Sequence, residues 1–330
     1  MLHRFLAVFE PFVVALFGVV ILASLLPPRG PWVGIFAFAA GGGIVLLFFL
    51  QGARLSREAI WAGASNWRLH LAVLASTFVL FPLLGLGVAR LPFLTPTIAA
   101  GMLFLTLLPS TVQSSIAFTS IARGNVAAAV CSASFSNLAG IVLTPALVAL
   151  LMGTSGGGVS FASVEAILLQ LLLPFVAGHL LRPWIGGFVA RRRSLLTITD
   201  RGSILLVVYT AFGAAVVEGL WRKVPAADLA LILVLCSLLL AAVLFATWWV
   251  GRSLGMARED AIVLIFCGSK KSLASGVPMA GVLFPAAQVG VMILPLMLFH
   301  QIQLMACAAI ARRYAARAEE PVAATAAAGG

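Results

Sequence analysis

Apolar residues run along this chain in stretches of about 20, rather than alternating with polar ones, and about 20 such residues wound as a helix cross about 30 Å of hydrocarbon. Ten stretches stand out, at residues 11–26, 32–50, 69–88, 97–121, 124–151, 162–181, 201–218, 228–251, 257–283 and 287–311. Each predicts a membrane-spanning helix. No small-residue cleavage pattern precedes PPRG after the first stretch, and further stretches follow, so it reads as a span rather than a signal peptide. Between the second and third, residues 51–70 set Leu55, Ile60, Trp61 and Trp67 among Arg54, Arg57 and Arg68, the pattern of an amphipathic segment resting at the membrane surface. The final residues, 314–330, are small and low in complexity and read as a disordered tail.

Two of the ten stretches are interrupted. The fourth contains LPSTVQSS (108–115) and the ninth CGSKKS (267–272), about 160 residues later. Five stretches fall in residues 1–155 and five in 156–313, and because five is odd the two halves enter the membrane in opposite senses. Identity between the halves is negligible, so only the pattern repeats. Paired interruptions at matching places in two inverted halves are the sequence mark of a transporter's binding site. The expected fold is therefore all-α and polytopic, with ten transmembrane helices in two inverted five-helix repeats, helices four and nine being broken.

Composition agrees with the pattern. Of 330 residues, 62% are hydrophobic and 9% charged, with a mean hydropathy of +1.13; a soluble domain carries about 25% charged residues. The formal net charge of +11 does not imply nucleic acid, since no soluble domain or long basic tail is present to grip a duplex. It reads as an orientation signal instead. Fifteen of the 21 basic residues fall on the side of the amino terminus and four on the other (Arg29, Arg90, Arg222, Lys223), which places both termini in the cytoplasm and the chain in the cytoplasmic membrane. Cys131, Cys236, Cys267 and Cys307 all lie in apolar stretches without paired or metal-ligand spacing and read as small buried hydrophobes.

The two basic residues left over, Lys270 and Lys271, sit within the ninth stretch. Each costs about 2.5–3.5 kcal/mol at the bilayer centre, together about 5–7 kcal/mol. Relief requires that the segment face protein or a water-filled chamber rather than lipid, and a water-filled chamber is the expectation here. Gly268 and Ser269 permit a break, and a new half-helix starting near Ser269 would aim its positive end at the same place. Amines plus amide dipoles favour an anion. In the fourth stretch Pro109 removes an amide hydrogen and frees carbonyls that hydrocarbon cannot satisfy. Ser110, Thr111, Gln113, Ser114 and Ser115 supply polar groups there, either as ligands or as patches on a kinked helix. Asn137 in the fifth stretch needs a partner at mid-depth, while Ser132, Ser134 and Ser136 are explained by helix packing. His300, Gln301 and Gln303 in the last stretch either line a cavity or bond between helices. No stretch holds a deeply placed carboxylate, and no nucleotide loop, metal-ligand spacing or nucleophile–base pair is present.

LPSTVQSSIAFTSIARGNVAAAV with LTPAL, together with FCGSKKSLASGVPMA, resembles the bile acid:sodium symporter superfamily, and within it the bacterial branch related to the seventh member of human solute carrier family 10. The resemblance covers about residues 8–312. It implies a core domain in which broken helices four and nine cross, and a panel domain of helices one, two, six and seven, with substrate between them. Symporters of the broader family carry a Ser-Asn pair after the first break, and the matching positions are Ser114 and Ser115. The family's hydroxyl ligands on the fifth helix fall near Ala129 and Ala133, its ninth-helix glutamate on Phe266, and its glutamine on Lys270. The carboxylate that neutralises sodium is thus replaced, and an ammonium stands near where that ion would sit.

These readings converge on a secondary transporter of a small organic anion, working by alternating access. Lys270 and Lys271 attract the anion or replace a cation, and Ser110, Thr111, Gln113, Ser114, Ser115, Asn137, Ser269 and Ser272 complete the expected site. No cofactor is implied. The coupling ion is sodium, protons or none, with a residual sodium site near Ser114 and Ser115. The expected partners are an anionic solute and membrane lipid. The competing readings are a membrane regulator derived from a transporter and a cation/proton exchanger, the latter disfavoured by the missing deep carboxylate.

Overall fold

The computed structural model describes residues 11–54, 66–152 and 161–328, so most of the surface segment expected at 51–70 lies outside the described residues. The described residues are almost entirely helical, and no strand occurs among them. In order, the helices are α1 (Pro11–Leu25), α2 (Pro31–Arg54), α3 (Trp67–Ala89), α4 (Pro96–Leu107), α5 (Gln113–Ile121), α6 (Val126–Met152), α7 (Phe161–Arg191), α8 (Arg193–Val217), α9 (Leu220–Lys223), α10 (Ala226–Ser253), α11 (Arg258–Gly268), α12 (Leu273–Leu283) and α13 (Ala286–Ala328). Several start on proline, whose missing N–H costs nothing in the first turn. A left-handed Gly255, φ +60°, ends α10: Met256 N–H reaches Gly251 O at 3.1 Å and Gly255 N–H reaches Arg252 O at 3.1 Å, which satisfies carbonyls the helix end would leave bare. The last helix continues through Ala328 into the segment whose composition reads as disordered, a stretch rich in alanine, the strongest helix former.

Seven helices among the described residues are long and apolar enough to cross a membrane: Pro31–Arg54, Trp67–Ala89, Val126–Met152, Gln170–Arg191, Ser194–Val217, Ala226–Ser253 and Ala286–Arg317. The fourth and ninth stretches are not single helices. Leu108 precedes proline and is therefore extended, φ −79° and ψ 156°, which ends α4 before α5 begins at Gln113. The second interruption separates α11 from α12. The latter starts at Leu273 rather than near Ser269, because Ser272 is the residue that caps it: its Oγ accepts from the Ser275 N–H at 3.1 Å.

Two groups of helices assemble. In the first, α2 packs on α7 and α8, and α8 packs on α1. Gly52 and Gly178 set the α2–α7 distance: a Cβ on Gly52 would lie 1.9 Å from Phe175 O, and one on Gly178 would lie 1.9 Å from Phe49 O. Such reciprocal contact of backbones is the packing that small residues permit between membrane helices. Arg54 of α2 pairs with Asp200 of α8 at one end of this group. The second group gathers α3–α6 and α10–α13 around the two interruptions, and α8 and α7 touch it through α12, α13 and α6. All four cysteines are buried and stand outside any disulfide.

Candidate functional site

Each interruption leaves carbonyls without helical donors, and a buried carbonyl must find a partner elsewhere. The first interruption is supplied by α6 and by the second. Thr144 Oγ1 donates to Leu107 O at 2.8 Å, Asn137 Nδ2 to Ser110 O at 2.8 Å, and the Ser272 N–H to Pro109 O at 2.9 Å. The second is supplied largely by the first. Ser115 Oγ donates to Phe266 O at 2.9 Å, Ser110 Oγ to Cys267 O at 2.5 Å, and Thr111 Oγ1 to Lys271 O at 2.8 Å. Ser269 Oγ turns back to Ile265 O at 2.5 Å, and Ser76 Oγ of α3 takes Gly268 O at 2.7 Å. The ends of α4 and α11 are thus bonded to one another through side chains. Asn137 joins both sides, since its Oδ1 also accepts from Ser275 Oγ of α12 at 2.8 Å.

The two lysines are wholly buried and lie in protein, not in the water-filled chamber the sequence led us to expect. Their surroundings differ sharply. Lys271 Nζ donates to Thr77 O at 2.8 Å, Thr106 O at 2.8 Å and Leu108 O at 2.6 Å, and it stands 4.1 Å from the centre of the Phe81 ring. Main-chain dipoles replace water around it. Its own peptide is clamped by Gln303 of α13, whose Oε1 accepts from Lys271 N–H at 2.8 Å while Nε2 donates to Lys271 O at 2.9 Å. Gln303→Leu removes both bonds and leaves a buried N–H bare, so we expect a loss of about 2 kcal/mol, read as a lowered melting temperature of the purified protein.

Lys270 makes one hydrogen bond, to Ser114 Oγ at 3.3 Å. Its ammonium otherwise faces aromatic rings, 4.5 Å from the centre of Phe118 and 5.8 Å from that of Phe266, which attract a cation through their π faces. No carboxylate lies within 4 Å of either lysine among the described residues. Lys270 is therefore a buried cation that lacks an anion.

The structure brings every expected site residue to the two interruptions, but it employs them unequally. The hydroxyls of Ser110, Thr111, Ser115 and Ser269 and the amide of Asn137 are engaged with main-chain carbonyls, and Ser272 caps α12. Ser114 is half-buried on Lys270, and Gln113 is exposed at the start of α5. Gln303 bonds between helices; His300 Nδ1 lies 2.9 Å from Gln303 Nε2, while Gln301 is buried with neither amide atom partnered. Sequence reasoning missed Thr77 and Thr106, whose carbonyls hold Lys271, and the rings of Phe81 and Phe118. The signal for Thr77 was present in STFVLFP: around Pro82, residues Ser76–Leu80 form a π turn. A separate hollow of about 640 Å³ between α1, α10 and α13 is walled by Phe17, Ile21, Leu233 and Met297, and its apolar lining offers nothing to a charge.

A chain of many apolar helices, with two of them interrupted and sewn together around buried ammonium groups, is a multi-pass membrane protein of the transporter class. Its sequence matches the SBF-like CPA transporter family over residues 10–316, and the chain belongs to that family, within the bile acid:sodium symporter superfamily. It is 56% identical over 320 residues to "Uncharacterized protein PA2026" of Pseudomonas aeruginosa, covering 96% of each chain. It is 53% identical over 315 residues to "Putative symporter YfeH" of Escherichia coli K12, covering 95% of each. With "Sodium/bile acid cotransporter 7" of Rattus norvegicus it shares 27% over 277 residues, 79% of this chain and 78% of the other. The protein is a transporter of the bile acid:sodium symporter type, not an enzyme.

Proposed function

We propose that the protein carries a small organic anion across the cytoplasmic membrane by alternating access, without sodium, and that Lys270 is the group that meets the anion. The observation that carries this reading is the lone 3.3 Å hydrogen bond of a wholly buried ammonium with no carboxylate beside it. An ammonium held so loosely gains most from an incoming carboxylate or sulfonate, because charge-assisted bonds are about twice as strong as neutral ones. Gln113 and Ser114 border the same place and would take further polar atoms of the cargo. Fixed positive charge here also repels a metal cation, which favours a site that runs without sodium near Ser114 and Ser115.

In this reading α4–α5 and α11–α12 are each one interrupted span, α1 is a further span, and the ten make two inverted repeats, 1–155 and 156–313. The group containing α1, α2, α7 and α8 moves against the group that holds the interruptions. The loop arginines put both termini in the cytoplasm. The name of the rat relative points to a bile acid or another amphipathic anion as the first cargo to try.

The experiment is uptake by protein reconstituted in liposomes, using a labelled bile acid and a series of smaller carboxylates, with sodium or choline outside. We expect at least one anion to accumulate equally in both salts, and Lys270→Met to lower the rate about tenfold, equivalent to about 1.4 kcal/mol. The reading fails if no anion is carried, or if uptake requires sodium and survives Lys270→Ala.

A further inference from the structure

Three carbonyl oxygens converge on Lys271 Nζ at 2.6–2.8 Å. A neutral amine has two N–H donors and an ammonium three, so only the charged form satisfies all three oxygens at once. Each oxygen lost its helical donor for a local reason. In α3 the Phe81 N–H is bonded to Ser76 O within the π turn, and Pro82, which follows, has no N–H to offer Thr77 O. In α4 the donor due to Thr106 O is Ser110 N–H, which instead reaches Ser136 Oγ at 3.0 Å. Leu108 is extended and outside any helix, so its carbonyl points away from the helical pattern. Without the lysine these oxygens would form a bare cluster of inward dipoles at the negative end of α4. Clustered main-chain carbonyls of this kind are the chemistry from which membrane proteins build sites for alkali cations.

We propose that Lys271 is a tethered cation: its ammonium permanently fills a three-carbonyl cation site where the π turn of α3 meets the end of α4. The site does for the fold what a bound metal ion would do, and it never exchanges its occupant with solution. Lys271 is then a structural residue and does not meet the cargo. The cage keeps this role whatever the cargo proves to be, and its test contains no transported anion.

The test is thermal unfolding of purified protein in sodium, ammonium, methylammonium or choline chloride at equal ionic strength. Wild-type protein is expected to melt at one temperature in all four salts, because its site is full. Lys271→Ala empties the cage and leaves room; it should melt about 5 °C or more below wild type in choline and recover at least half of that in ammonium or methylammonium. Lys271→Met keeps the space filled without charge and should recover nothing in any salt. Should Lys271→Ala fail to fold in choline, purification in ammonium chloride is expected to restore a monodisperse protein. The proposal is overturned if Lys271→Met is as stable as wild type, if no cation distinguishes Lys271→Ala from Lys271→Met, or if sodium stabilises wild type saturably and Lys271→Ala abolishes that effect.

Discussion

Gly178→Val is expected to yield almost no folded protein in membranes. A Cβ at this position would lie 1.9 Å from Phe49 O and 2.8 Å from its carbonyl carbon, so the obstacle is backbone that cannot rotate aside as a side chain could. The partner contact is reciprocal, Gly52 against Phe175 O, and the two glycines act together. Relief requires α2 and α7 to separate along their length, which also withdraws α2 from α8 and strains the Arg54–Asp200 pair. Overpacking commonly costs about 1–3 kcal/mol, and a clash with main chain on both helices belongs at or beyond the upper end. Gly187 lies on the same helix with nothing within 4 Å of its ideal Cβ, so Gly187→Val controls for the β-branched residue itself. Yield and size-exclusion profile after detergent extraction check the expectation, and equal behaviour of the two variants would refute it.

Asn137→Leu is expected to cost about 3 kcal/mol and to loosen both interruptions together. Its amide spans three bonds, to Ser110 O at 2.8 Å, Ala133 O at 3.2 Å and Ser275 Oγ at 2.8 Å. Leucine is of similar size but leaves Ser110 O bare in the protein interior, and an unsatisfied buried group costs about 1–3 kcal/mol. The loss of the Ser275 bond adds to this by freeing the first turn of α12 from α6. Asn137→Asp keeps the acceptor for Ser275 but turns a carboxylate oxygen instead of a donor toward Ser110 O, so it should also melt below wild type. A melting-temperature series of the three proteins decides it. Asn137→Leu melting level with wild type would show that the amide is not what holds the interruptions together.

Much of this was legible in the chain. Pro109 announced the first interruption, because a missing N–H and the extended residue before it follow from covalent structure alone. Lys270 and Lys271 announced the second, since an ammonium in an apolar stretch has to be enclosed. The polar residues around Pro109 were also visible, but not their use. Ser110, Thr111 and Ser115 are on carbonyls of a segment some 150 residues away, and hydroxyl spacing along one helix does not reveal what faces it. The same limit hid Thr77: Lys271 reaches its carbonyl across 194 residues of chain.

The sequence by itself determined the solvent of this protein, the two places where its apolar stretches are interrupted, and the need for two buried amines to be enclosed. Those follow from sums over neighbouring residues, transfer free energies and backbone covalency, which need no knowledge of what lies across the fold. Only the tertiary structure decided that Lys271 is held by three carbonyls while its neighbour Lys270 has a single long bond. Adjacent residues on a non-helical segment point in different directions, and hydrogen bonding depends on distance to within a few tenths of an ångström, so the difference between them arises only once α3, α4 and α5 have closed around the turn.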